Sequence, residues 1–177
     1  AMRGVNDAEL PNLLNLALET PMQVRFIEFM PVGATTSWDR DMVWPLEDIL
    51  ARAREHVDEL EPMKSLDSPT AGPARVFHIR DKASGRSGTI GVISALSKHF
   101  CSRCNRLRIT SDGRLRTCLF SDKEYRLRNI LRTPALGPDK VREIMRLAAQ
   151  TKPMGYRILA DKEKTPVCRK GMSAIGG

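Results

Sequence analysis

Val24-Arg25-Phe26-Ile27-Glu28-Phe29 places apolar side chains at both odd and even positions, so an extended segment here is apolar on both faces. That is the mark of a parallel strand covered on each side. The run stops at Met30-Pro31-Val32-Gly33. Ahead of it, Asn6-Asp7-Ala8-Glu9 can form a capping box, with Asn6 as the cap and Glu9 reaching back. The stripe Leu10, Leu13, Leu14, Ala17, Leu18 then predicts a short amphipathic helix. Helix followed by strand is half of an α/β repeat. One repeat cannot close a parallel sheet, and parallel neighbours need crossover connections, none of which is expected in the chain.

Pro45 opens a second helix, with Leu46, Ile49, Leu50, Ala53, Val57 and Leu60 on one face. A Pro/Ser-rich linker from Glu61 to Pro73 separates it from an expected hairpin. The arms of that hairpin are Arg75 to Arg80 and Thr89 to Leu96, across Asp81-Lys82-Ala83-Ser84-Gly85, so an antiparallel sheet is predicted beyond the linker. Farther on, Ser121-Asp122-Lys123-Glu124 reads as the cap of a helix to about Leu131. Pro138-Asp139 starts another, with the stripe Val141, Ile144, Met145, Ala148. The tail from Lys152 is basic, weakly patterned and ends Gly176-Gly177. There is no internal repeat, nucleotide-binding glycine loop or Ser/His/Asp nucleophile arrangement.

Three of the four cysteines gather in one stretch: Cys101-Ser102-Arg103-Cys104, then Cys118. A structural zinc site wants four protein ligands in a closed tetrahedron. An iron-sulfur cubane held by three cysteines keeps one iron open to another ligand, whereas clusters that only carry electrons are usually held by four. Arg106 to Thr110 alternates like a strand, Ser111-Asp112-Gly113 carries the Asp-Gly turn signal, and Arg114 to Cys118 returns. With Asp112 and Gly113 as the turn residues, Leu107 is expected opposite Cys118, close to the Cys101/Cys104 pair. The alternative is that all three are small buried hydrophobes.

Charge concentrates in the same place. The chain carries a net +8, and between Lys98 and Arg132 ten Lys/Arg stand against three acids, a net of +7. A concentrated positive field predicts a polyanionic ligand, either a nucleotide triphosphate or a nucleic acid. With 5% aromatic residues, the stacking platform of a single-strand binder is thin. Arg126, Arg128 and Arg132 read as a solvated face, whereas Arg106 and Arg108 share a strand face near the thiols. At 177 residues, 41% apolar and 28% charged, the chain suits one globular domain or a piece of a larger one. No apolar run is long enough to span a bilayer, and no secretory pattern opens the chain. The expected location is the cytoplasm, where a cysteine cluster reads as metal or catalysis before disulfide.

A set of motifs along the whole chain resembles the C-terminal half of the radical S-adenosylmethionine (SAM) GTP 3′,8-cyclases of molybdenum cofactor biosynthesis. These are Arg3-Gly4-Val5-Asn6-Asp7, Arg25-Phe26-Ile27-Glu28-Phe29-Met30-Pro31, Cys101-x2-Cys104-Asn105-Arg106-Leu107-Arg108, Ser111-Asp112-Gly113, Cys118-Leu119-Phe120 and Met172-Ser173-Ala174-Ile175-Gly176-Gly177. The resemblance implies an α/β fold: the last helix and strand units of an incomplete (βα)6 barrel in residues 1–60, then a substrate-cluster domain in residues 74–177 with antiparallel strands and helices. It also implies an enzyme with two 4Fe-4S clusters, one cleaving SAM and the other holding GTP at its open iron for radical cyclisation. By the same resemblance Cys101, Cys104 and Cys118 are ligands of the GTP-holding cluster, and Arg106, Leu107 and Arg108 lie at GTP. Met30 contacts SAM at the end of a barrel strand, Arg25 faces the active site, and Gly176-Gly177 enters it.

The chain departs from that family in lacking the Cys-x3-Cys-x2-Cys motif of the first cluster and the N-terminal strands, and Ala1-Met2 reads as the start of a fragment. SAM and the first cluster are therefore expected only with the missing N-terminal half, and this chain alone is expected to be inactive. Cys168 is expected to be a free thiol. Two alternatives stay open. One is a zinc-binding nucleic-acid module with His99 or Cys168 as fourth ligand; the other is a non-catalytic partner of a separately encoded radical SAM half. Oligomeric state, including a homodimer, is left open.

Overall fold

In the computed structural model, which describes residues 1–33, 37–63, 72–160 and 167–175, the first apolar stripe forms helix α1 (Leu10–Glu19), with Leu10, Leu14 and Ala17 buried. Pro11 sits in its first turn, where a missing N–H costs nothing. The expected capping box is not made. Asn6 Oδ1 accepts from Met2 N at 2.8 Å and Asp7 Oδ1 from Gly4 N at 3.0 Å, so these side chains fasten the turn ahead of the helix instead.

Strand β1 (Val24–Ile27) pairs in parallel with β4 (Ser87–Ile93), Val24 opposite Ile90 and Ile27 opposite Ile93. This corrects the expectation that no parallel neighbour lies in the chain. The crossover passes through helix α2 (Leu46–Arg54), β2 (Glu59–Pro62) and β3 (Arg75–Arg80). Because β4 is the return arm of a hairpin with β3, it runs in the direction of β1. The sheet order is β1-β4-β3-β2, with antiparallel pairs β4/β3 and β3/β2. The hairpin is thus not part of a purely antiparallel sheet, and its second arm begins at Ser87 and ends at Ile93. Glu61 and Pro62, read as linker, pair with His78 and Phe77 in β2; residues 64–71 of that linker lie outside the described residues.

The two faces of β1 are not alike. Phe26 and, just beyond the strand, Glu28 are buried, whereas Arg25 and Ile27 are exposed, so one face is covered and the expectation of two covered faces does not hold here. Phe26, Trp44, Ile49, Phe77, Ile79 and Ile90 belong to the core beneath it. Helix α1 crosses β4 so closely that a Cβ on Gly88 would stand 2.0 Å from the Ala17 carbonyl oxygen, a position only glycine can fill. The Glu28 carboxylate, 1% exposed, accepts from Leu46 N at the start of α2 (3.1 Å), from Leu96 N (2.7 Å), from Ser97 N (3.0 Å) and from the Ser97 hydroxyl. One buried charge with this many donors ties three segments together.

Residues 1–30 with 38–100 form one unit and residues 31–37 with 101–177 another. The second holds a three-stranded antiparallel sheet in the order β5 (Arg108–Ile109), β6 (Arg114–Arg116), β7 (Glu124–Arg126). Arg108 pairs with Arg116 and Ile109 with Leu115. The loop is Ser111-Asp112-Gly113, three residues rather than two, with Gly113 at φ +75° and Gly113 N donating to Thr110 O. Pairing is therefore shifted by one residue, and Leu107 is not opposite Cys118. Glu124–Arg126, read as the start of a helix, is a strand because it covers the second edge of β6, with Leu115 opposite Tyr125. Helix α3 (Leu127–Leu131) begins only afterwards, and Leu127 N and Arg128 N both donate to Gly113 O.

Helix α4 (Gly137–Gln150) starts at the expected proline and lays Ala148, Val141 and Ile144 against Leu115 and Leu127. Met145 is left on the exposed side. The weakly patterned tail contains a further short helix, α5 (Gly155–Ala160). No helix among the described residues is long and apolar enough to cross a membrane.

Candidate metal centre

A single tight turn, Cys101–Arg103, carries the first two thiols, and Cys104 N closes it by donating to Cys101 O at 3.3 Å. The two-residue spacing thus puts both cysteines at the ends of one turn. Cys118 follows β6 and is buried. Burial pushes its thiol pKa up; nearby Cys101 and Cys104 push the same way, while a backbone bond at Phe120 and the charge of Lys152 pull it back. The three sulfurs are therefore electrostatic neighbours, all reduced. Among the described residues, no three His, Cys, Asp or Glu side chains are grouped as a single metal ion would require. In a cluster each thiolate holds its own iron instead of sharing one ion.

Two residues outside the expected set touch the cysteines. Lys152, in the turn between α4 and α5, donates through Nζ to Cys104 O (2.8 Å), Cys104 Sγ (3.3 Å) and Arg106 O (2.8 Å). Gly155, at the start of α5, lies against the third cysteine: a Cβ there would stand 3.0 Å from Cys118 Sγ and 2.9 Å from Phe120 Cδ2. Nothing in the local pattern marks either residue, since both contacts join segments far apart in sequence.

Arg108 is half-buried in β5, and its guanidinium pKa is lowered first by that burial and then by the charge of Arg106, while Cys104 and Cys118 oppose the shift. Arg106 is exposed and precedes the strand, so the two arginines do not share a strand face as expected; they are neighbours through the irregular run that Lys152 holds. Leu107 between them is 37% exposed. No carboxylate among the described residues pairs with Arg106 or Arg108. Two other arginines of the basic segment are matched. Arg114 meets Asp112 (2.7 Å) and Glu124 (3.4 Å), and fully buried Arg116 meets Glu124 (3.3 Å) and Asp122 (3.6 Å). Arg126, Arg128 and Arg132 are exposed.

Cys168 is buried and its sulfur is engaged apart from the other cysteines, accepting from Arg116 Nη2 at 3.1 Å and meeting Lys170 O at 3.3 Å. Burial raises its pKa, against the pull of Arg116. Arg25 and Met30 belong to the first unit, as does His99. Arg25 donates to Gln23 Oε1 at 2.6 Å, and its stem packs over Gly91; Met30 is half-buried. Gly176 and Gly177 lie outside the described residues.

Three reduced thiols beside a small antiparallel sheet, two on one turn and one just after β6, together with arginines unmatched by any described carboxylate, make this a thiol-bearing domain with an anion-attracting face. The chain belongs to the Molybdenum Cofactor Synthesis C family, whose pattern matches residues 22–158. It is similar along its length to proteins named GTP 3′,8-cyclase. It is 40% identical over 176 residues to that of Geobacter sulfurreducens, covering 99% of this chain and 50% of the relative. Identity is 38% over 176 residues with that of Thermodesulfovibrio yellowstonii (99% and 50%), and 35% over 177 residues with that of Alkaliphilus oremlandii (100% and 50%). The chain spans about half the length of these relatives.

Proposed function

We propose that this chain is the substrate-cluster half of a GTP 3′,8-cyclase, with residues 74–177 as the cluster domain and residues 1–60 as the end of an incomplete (βα)6 barrel. Cys101, Cys104 and Cys118 hold a 4Fe-4S cluster, and Arg106, Leu107 and Arg108 line the GTP that it binds. A three-cysteine cluster supplies one iron with a coordination place for a substrate atom. The observation that carries this reading is that Cys101 and Cys104 share one turn and Cys118 feels the charge of both, beside Arg106 and Arg108, which no described carboxylate neutralises. Burial of Arg108 next to Arg106 leaves positive charge that a triphosphate would relieve through charge-assisted bonds. The donor set suits the group chemically: the sulfurs are reduced, Lys152 donates to one of them, and Gly155 is bare beside another.

The remaining parts of the reading concern the complete enzyme. SAM and the first cluster come with an N-terminal half, Met30 touches SAM at a barrel strand end, Arg25 faces the reacting centre, and the Gly176-Gly177 tail enters it. The site is read as binding nucleotide rather than nucleic acid, in a cytoplasmic enzyme. A zinc reading is weaker because Cys168, a candidate fourth ligand, has its sulfur engaged by Arg116. Iron, acid-labile sulfide and zinc measured in oxygen-free protein test the proposal. About four irons and four sulfides per chain are expected, the content of one 4Fe-4S cluster. They should be lost in Cys101→Ala, Cys104→Ala or Cys118→Ala and kept in Cys168→Ser, whose oxygen can still accept from Arg116. Stoichiometric zinc without sulfide would overturn it.

A further inference from the structure

Lys152 is set where a solvated surface lysine would not be. Its ammonium has three protons and finds three acceptors, the carbonyl oxygens of Cys104 and Arg106 and the sulfur of Cys104, so its hydrogen-bonding capacity is filled. It is half-buried, and both flanks are pinned. Thr151 Oγ1 meets the Tyr125 hydroxyl of β7 at 2.7 Å and donates to Leu147 O at 2.8 Å. Three residues on, Gly155 packs on Cys118 and Phe120. The connection between α4 and α5 therefore grips the cysteine set at two points, Cys104 and Cys118. Residues 104–107 form neither helix nor strand, so the bonds to Lys152 take the place of a strand ladder in fixing this run.

We propose that Lys152 is the positioning residue of the cysteine centre, holding Cys104 as a ligand and Arg106 as an anion-facing side chain in one rigid piece and offsetting the charge on the Cys104 sulfur. The proposal rests on the cluster reading above. A donor to a ligand sulfur tunes both the hold on a cluster and its potential, as outer partners of metal ligands do. With all its protons engaged by protein atoms, Lys152 acts on the ligand and leaves the triphosphate to the arginines.

The test uses the full 177-residue chain, reconstituted with iron and sulfide without oxygen, as wild type, Lys152→Met and Lys152→Gln. Iron and sulfide content, midpoint potential and the rate of iron loss to a chelator are measured, with thermal melting as a check on folding. Both variants should still take up iron and sulfide. Loss of the cation should make the midpoint potential more negative, because the reduced cluster carries more negative charge. Lys152→Met should release iron about ten- to a hundred-fold faster, the factor that one hydrogen bond to a charged group represents. Lys152→Gln keeps a donor for the carbonyl oxygens but not the charge, so it should fold normally and show the shifted potential even if Lys152→Met does not fold. Wild-type potential and iron-loss rate in Lys152→Gln would overturn the inference alone. Absence of iron and sulfide from wild-type protein would overturn the cluster reading and the inference with it.

Discussion

Gly155 and Arg108 show how single residues set up the site. Replacing Gly155 with Ala would gain up to about 1 kcal/mol in helix propensity. The new Cβ would meet Cys118 Sγ at 3.0 Å and Phe120 Cδ2 at 2.9 Å, and forcing a methyl group into a packed site costs about 1–3 kcal/mol. The clash outweighs the propensity, so Gly155→Ala should lower the melting temperature and, under the proposed function, reduce iron retention, because the atom displaced is the sulfur of a proposed ligand. Unchanged melting and iron content would show that the contact relaxes freely. For the arginines, GTP should bind more tightly than GMP to the cluster-loaded chain. Arg106→Ala or Arg108→Ala should weaken GTP about ten- to a hundred-fold, as loss of a charge-assisted bond predicts. Equilibrium binding with both nucleotides checks this, and equal affinity would remove the arginines from triphosphate recognition.

Among the elements, the β5/β6 hairpin and the α1/β4 crossing depend on glycine for different reasons. At Gly113 a side chain would have to adopt φ +75°, and its Cβ would sit 2.7 Å from Arg128 Cβ, on the loop that delivers Cys118. At Gly88 the obstacle is the Ala17 carbonyl, backbone that cannot rotate away. Chemical denaturation should therefore show both Gly113→Ala and Gly88→Ala destabilised, by at least about 1–3 kcal/mol, the range for overpacking and for backbone strain. Only Gly113→Ala should also diminish iron uptake, since only it disturbs the cysteine-bearing hairpin. Equal loss of iron in both would mean that the metal site senses global stability alone. The hairpin itself was legible from Ser111-Asp112-Gly113, but its register was not. A turn signal names the residues at the bend without saying whether two or three of them are left unpaired, and one residue of shift moves Leu107 away from Cys118. The polar residues leading into Glu124–Arg126 suit a helix cap, while the edge of β6 that claims this segment as a strand lies elsewhere in the chain.

For the whole molecule, the exposed face of β1 is the feature with consequences. β1 is the outermost strand of its sheet, paired with β4, and Ile27 is 41% exposed on the face it shares with Arg25. An edge strand with an apolar side chain in the open is prone to pair with another copy. Light scattering should show self-association rising with concentration, and Ile27→Lys should suppress it. A strictly monomeric wild type at high concentration would remove this role from the edge. Under the proposed function, the chain with SAM and a reductant should release no 5′-deoxyadenosine, because all three gathered thiols are committed to the substrate cluster. Chromatography of the reaction decides the point, and detection of the nucleoside would place a SAM-cleaving centre in this chain.

The sequence by itself determined what depends on neighbours along the chain: the apolar stripe of α1, the proline start of α4, the cysteine pair on one turn, and the family. Periodicity and short spacing act within a few residues, and family motifs are local words. Tertiary structure decided what depends on contacts between distant segments. β1 finds its parallel partner because a hairpin turns β4 towards it. Glu28 becomes a buried staple because α2 and the loop after β4 bring donors to it. Arg116 is taken out of the basic surface by Glu124 and Asp122, and Lys152 and Gly155 reach Cys104 and Cys118 across a helix and a sheet. Such pairings follow from which surfaces are buried together, and that is settled only when the whole chain packs.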